Sequence, residues 1–185
     1  MIYPIVVYGN PSLRKVSEPI DANYPGLAKL LEDMFETMYS SDGVGLAAPQ
    51  IGKGIRLFII DAAPMEEDSP TLKDFKKVFI NAQIIKEEGE PWGFNEGCLS
   101  LPEIRENVNR LSQITVRYQD ENFVQHEETY DGIKARIIQH EYDHIEGRLF
   151  IDHISPIRKR LIGAKLTAIE KGKVNPSYRV KFYKK

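Results

Sequence analysis

His140-Glu141-Tyr142-Asp143-His144 is the stretch of this chain whose residue types and spacing are best suited to chemistry. On a helix, residues four apart lie one turn apart on the same face, so both imidazoles can reach a single metal ion. Glu141 stands between them, where a carboxylate can take up and return a proton. A metal-dependent hydrolase needs that arrangement. The plainer alternative is a pair of core histidines, each bonded to a carbonyl. The spacing and the intervening glutamate favour the metal.

A helix must position the pair. Ile133 and Ile137 precede His140 and His144 on one face, forming an apolar stripe that turns into histidines. This pattern predicts a helix buried in the core whose polar end opens into a cleft. Asp131 is placed to cap its start and Gly147 to end it. Asp143 and Glu146 are expected around the metal ligands or on the solvated face, not on the metal itself.

Catalytic zinc-type sites take three protein ligands and leave one position for water. Gly147 stands where metzincins carry a glycine, but Phe150 occupies the place of their third histidine, which excludes that family. His153 lies past the helix stop. Two candidates remain: Glu170, on a second expected helix, and Cys98, the only cysteine. A lone cysteine is usually a small core residue. Cys98, however, sits in a stretch from Pro91 to Pro102 whose glycines and prolines predict an irregular, closely approaching backbone. A metal held by two histidines would also supply the cation that stabilises a thiolate. Cys98 is the better candidate and Glu170 the second.

Gly43-Val44-Gly45-Leu46-Ala47-Ala48-Pro49-Gln50 is the third unusual stretch. Its spacing fits neither the dinucleotide fingerprint nor the Lys-Ser/Thr phosphate loop. Small residues followed by Gln50 suit a tight wall that brings backbone and one amide close to a reacting group; an ordinary loop with a partly buried Ala-Ala-Pro is the alternative.

Taken in order, that stretch, Glu96-Gly97-Cys98-Leu99-Ser100 and Gln139-His140-Glu141-Tyr142-Asp143-His144 resemble the three signature blocks of the peptide deformylases. The resemblance implies metal ligands Cys98, His140 and His144, with Glu141 as catalytic acid and base. It implies that the Gln50 side chain and the Leu99 backbone N–H bind the developing oxyanion, and that Gly45, Glu96 and Gly97 line or support the substrate pocket. Arg105 and Arg110 match basic positions after the cysteine block. The implied reaction is hydrolytic removal of the formyl group from formyl-methionine at the N-terminus of new polypeptides, releasing formate. The implied cofactor is one divalent metal, physiologically Fe2+, with Zn2+, Ni2+ or Co2+ as replacements. The implied partners are N-formylmethionyl nascent peptides, and the stretch after Ser155 matches no signature.

The chain's 185 residues are expected to form a single catalytic domain, 1–185, with an ordinary soluble composition of 42% hydrophobic and 28% charged residues. No apolar run approaches a membrane span, and Met1-Ile2-Tyr3-Pro4 lacks the basic start of a signal peptide. With one cysteine, a cytoplasmic location is expected. A helix is predicted from about Pro25 to Tyr39, strands at Ile55 to Ile60 and Val78 to Ile85, and an exposed loop from Ala62 to Lys73. Ile114 to Tyr118 and Phe123 to Tyr130 suggest a hairpin. A second helix runs from about Pro156 to Lys171, and Tyr178 to Tyr183 alternate like a short strand. Strands in runs without helical crossovers predict an α+β fold, with antiparallel sheets packed around a central metal-binding helix and a C-terminal helix. Charge is uneven beneath the net −2: the segment 155–185 carries ten Lys/Arg against one acid, Glu170. Such a basic helix and tail could contact a ribosome or remain a solvated face; no DNA or membrane contact is expected.

Overall fold

The computed structural model describes residues 1–67 and 69–183. The chain opens with the short strand β1 (Ile5–Val6) and then helix α1 (Leu27–Ser40), which buries Leu30, Leu31, Met34 and Met38 along one face. Among the described residues, one five-stranded antiparallel sheet follows in chain order: β2 (Gly45–Ala47), β3 (Leu57–Asp61), β4 (Lys76–Cys98), β5 (Leu101–Gln119) and β6 (Gln125–Asp131). The central helix α2 (Gly132–Ile145) lies against it, and α3 (Pro156–Leu161), α4 (Gly163–Glu170) and β7 (Val180–Lys181) complete the chain. This is the expected α+β arrangement around a central helix.

The core explains the placement of α2. Ile137, Ile138, Ala135 and Ile145 pack with Phe58, Phe79 and Ile60 of the sheet, and Ile133 joins the edge of the cluster. Phe58 and Phe79 stack with centroids 4.7 Å apart. Burying one such ring stabilises the fold by about 1.5–3 kcal/mol. With its apolar stripe anchored there, the next turns of α2 must carry their histidines to the end of the sheet.

Several elements depart from the sequence reading. β4 and β5 run far beyond Val78–Ile85 and Ile114–Tyr118: they form one long hairpin whose far end is the turn at Leu99–Ser100. The stretch expected to be irregular is thus paired strand. Gly89, at φ +82°, and Pro91 stand at the register shift between Glu88 and Pro91, and Gly97 at the shift before Cys98, which lets the strand bend without breaking. From Ile104 to Arg110, β5 alternates buried and exposed residues, which places Glu106 and Arg110 inside with Ile104 and Val108.

The second helix is broken at Ile162 into α3 and α4. Among the described residues of the tail, only Val180–Lys181 form a strand, which pairs parallel with Ile5–Val6 and so lies outside the antiparallel scheme. Asp131 occupies the N-cap position of α2, but its side chain makes no capping hydrogen bond. Gly147 does follow the helix end, at φ +69°, and a Cβ there would stand 2.7 Å from Arg14 O. The polar stretch 62–73 includes two short 3-10 turns and buries Ala62 and Leu72, so it is only partly exposed; its Asp68 is outside the described residues. In the basic segment, Arg158 pairs with Glu106 at 2.8 Å and Lys159 reaches Asp152 at 3.5 Å, while Lys184 and Lys185 lie outside the described residues.

Candidate metal centre

α2 sets His140 and His144 one turn apart, with ring centroids 5.3 Å apart. The end of β4 brings Cys98 to them, its Sγ 3.3 Å from His144 Nε2. One ligand atom from each of Cys98, His140 and His144 lies within 4.8 Å of the others, the one such His/Cys/acid cluster among the described residues. Glu170 is not part of it. Glu170 ends α4, where a Cβ on Gly9 would stand 2.7 Å from its Cγ. Phe150 stacks on the His140 ring at 6.0 Å and so serves as a wall at the position where a metzincin would have a ligand.

Glu96 determines how His140 is used. His140 Nδ1 donates to Glu96 Oε2 at 2.8 Å, which leaves the Nε2 lone pair for the cluster. Two buried guanidiniums hold the same carboxylate: Arg110 at 2.8 and 3.1 Å, and Arg136 at 2.9 Å. Burial alone would push Glu96 up, but hydrogen bonds from His140 and Arg110 hold it well below the usual carboxylate range. Arg110 also donates to Asp143 Oδ2 at 2.8 Å, and Asp143 meets His153 at 2.8 Å. Asp143 is therefore buried in the network around the ligands, whereas Glu146 pairs with Arg56 at 2.6 Å on another side.

The opposite wall comes from β2 and the 3-10 turn Ala48–Ile51. Gln50 Oε1 accepts from the Ala47 N–H at 2.8 Å, so its NH2 must face the site, 3.2 Å from Ser100 Oγ and 3.5 Å from Cys98 Sγ. Gly45 lies against Glu141. Gly97 passes beneath Arg105, whose Cζ would stand 3.1 Å from a Cβ there. Leu99 sits in the turn that follows Cys98. Gly45, Gln50, Cys98, Leu99, His140 and Glu141 all border one cleft of about 790 Å³. Glu96 reaches the same cleft, but both its oxygens are engaged by His140 and the two arginines, which makes it support and not a free substrate contact.

Charge at the centre follows from burial and crowding. Burial pushes Glu141 up, and despite the nearby histidines it reaches about 7. The Cys98 thiol would also rise through burial, but His144 and His140 bring it down to about 5. Hydrogen bonds to Cys98 and Glu96 raise His140 against the effect of burial. Glu141 Oε2 is buried without a hydrogen-bond partner, as is His144 Nδ1. A readily formed thiolate, two imidazole nitrogens and an unengaged carboxylate oxygen beside them fit a soft-ligand divalent cation with a polar reactant next to it.

The sequence model of the family described as "Polypeptide deformylase" matches residues 2–160. The chain belongs to that family. It is a hydrolase of the family whose activity is removal of the N-formyl group from nascent peptides. The chain is 53% identical to the peptide deformylase of Christiangramia forsetii, over 98% of this chain and 96% of that one. Among solved structures, a Legionella pneumophila deformylase superposes with TM-score 0.80 at 36% identity, covering 94% of this chain and 98% of its own. The Thermotoga maritima deformylase gives 0.76 at 41% identity, covering 84% and 99%.

Some partners of the site escaped the sequence reading. Arg136 lies four residues before His140, hence on the same helix face, and that spacing could have revealed it. The contacts of Ser100 with Gln50 and of Tyr178 with Leu99 carried no comparable local signal, because they join residues far apart in the chain.

Proposed function

We propose that in this deformylase Cys98, His140 and His144 hold one divalent cation, that Glu141 moves the proton, and that Gln50 and the Leu99 N–H receive the oxyanion. The observation that carries the reading is the convergence of the thiol and both imidazoles beside a buried carboxylate raised to about 7. When bound, the cation would acidify water and polarise the formyl carbonyl. Glu141, near neutral pH, is matched both to accept the proton of the attacking water and to return it to the departing amine. The Gln50 amide, held by the Ala47 N–H, already points its NH2 at the site and needs no reorganisation as negative charge grows on the formyl oxygen. Gly45 and Gly97 keep the walls close, and Glu96 keeps His140 in one tautomer.

Soft thiolate and imidazole ligands accept several divalent ions. The deformylase resemblance favours ferrous iron, with zinc, nickel or cobalt as replacements. The substrate is an N-formylmethionyl nascent peptide met in the cytoplasm, and the basic segment after Ser155 offers a ribosome contact. Anaerobic metal analysis combined with formate release from a formyl-Met peptide tests the reading. About one metal per chain with formate release is expected; metal with cleavage of internal peptide bonds and no formate would overturn it.

A further inference from the structure

The turn after Cys98 is gripped from several sides by segments distant in sequence. Gln50 donates to Ser100 Oγ at 3.2 Å. The Tyr8 N–H donates to Ser100 O at 2.8 Å, and the Tyr178 hydroxyl donates to Leu99 O at 2.8 Å. Tyr8 follows β1 and Tyr178 precedes β7, and these two strands pair with each other. The Ile5 N–H bonds Arg179 O at 2.8 Å, which fixes the tail immediately beside Tyr178. The two ends of the chain therefore form one ribbon that holds both carbonyls of the turn. Tyr178 also borders the cleft, as do Ser177 and Gly45. The family match ends at residue 160, so Tyr178 lies in the part of the chain that match does not cover.

We propose that Tyr178 is a positioning residue for deformylation: by holding the Leu99 carbonyl, it fixes the turn so that the Leu99 N–H stays aimed at the substrate oxygen. The proposal rests on the reading of Leu99 as an oxyanion donor. A donor of this kind works because it is already oriented when charge develops. The grips from Gln50 and Tyr8 fall on Ser100, whereas the phenol holds the Leu99 carbonyl itself. Released from the phenol, the Leu99–Ser100 peptide can turn, and the Leu99 Cα, which also carries the Cys98–Leu99 peptide with its N–H, loses an anchor. The phenol hydroxyl is spent on the Leu99 carbonyl, so ground-state binding should change little while the chemical step slows.

The test is Tyr178→Phe, which keeps the ring and its packing and removes only the hydroxyl. With a short formyl-Met peptide, kcat should fall on the order of threefold to tenfold, the effect of one neutral hydrogen bond, while KM stays within about twofold. Metal content should be unchanged, and amide hydrogen exchange across Cys98–Leu101 should accelerate. An unchanged kcat, or a rise in KM together with metal loss, would overturn the role. Replacing Leu99 by its α-hydroxy acid, which turns the N–H into an ester oxygen, tests the underlying reading separately. If the ester lowers kcat but Tyr178→Phe does not, only the positioning role fails. If the ester leaves kcat unchanged, the donor reading fails, and the proposal with it.

Discussion

Gly45 and Glu141 approach so closely that no side chain fits between them: a Cβ on Gly45 would stand 2.7 Å from the carboxyl carbon of Glu141. Gly45 pairs with Ile60 on the buried edge strand β2, and Glu141 is held by a helix packed on that sheet, so neither backbone can withdraw cheaply. The glycine therefore determines where the carboxylate stands. Gly45→Ala should push the Glu141 side chain out of position and lower kcat on the order of a hundredfold, as displacements near 1 Å do. Metal content should persist, because none of the three ligands is touched. Measuring kcat and bound metal on the same preparation checks it, and near-normal turnover would show that the carboxylate has room to move.

Glu141→Gln is nearly isosteric. It should keep fold and metal and lower the chemical step on the order of 10²–10⁴-fold. Cys98→Ala should lose metal affinity, and Glu170→Ala should retain it, since Glu170 lies against Gly9 away from the cluster. Metal stoichiometry after dialysis separates the outcomes; retention by the first and loss by the second would return Glu170 to the ligand set.

Glu96 links the centre to stability. Its carboxylate is depressed well below its ordinary 4.5 by His140 and Arg110. A group depressed in the folded state contributes stability that is fully present above its unfolded pKa and is lost as pH falls below that value. Denaturant midpoints should therefore decline on acidification below about 4.5, the unfolded carboxylate value. Glu96→Gln should flatten that decline and destabilise the protein at neutral pH by about 3–5 kcal/mol, because Arg136 would be left buried without its anion and Arg110 with Asp143 alone. An acid slope unchanged by the substitution would assign the decline to other carboxylates.

Apoprotein reloaded anaerobically with Fe2+ or Ni2+ should turn over faster than protein loaded with Zn2+. The Fe2+ form should lose activity in air, with oxidation of Cys98 detectable by mass spectrometry. Equal, air-stable rates for Zn2+ and Fe2+ would refute the iron assignment and leave the hydrolase intact.

Removal of residues 173–185 is a sharper experiment than the sequence suggests. Every signature block precedes the deletion, so sequence reading alone expects normal turnover on a short peptide. The fold predicts otherwise, because Tyr178 and the β7 pairing with β1 are lost together. Turnover should drop at least as much as in Tyr178→Phe, and thermal stability should fall. The proposed ribosome contact should weaken over a salt series and lose part of its salt dependence as Lys/Arg–phosphate contacts disappear.

The chemistry of this protein was readable in its sequence because it is encoded locally. A four-residue spacing on a buried helix brings His140 and His144 to one face whatever surrounds them, and Ile133 and Ile137 already say which face is buried. α1 and β3 were legible for the same reason, since their apolar periodicity lies within a single element. The long β4–β5 hairpin was not, because strand pairing is a relation between distant residues and its glycines and Pro91 carry the local signature of loops. Only the tertiary structure decided that Cys98 and not Glu170 completes the cluster, and that Glu96 is clamped between Arg110, Arg136 and His140. It also decided that Tyr178 returns across the chain to Leu99. Each is a contact between residues brought together by sheet register and helix docking, and neither register nor docking has a local signature in the order of the residues.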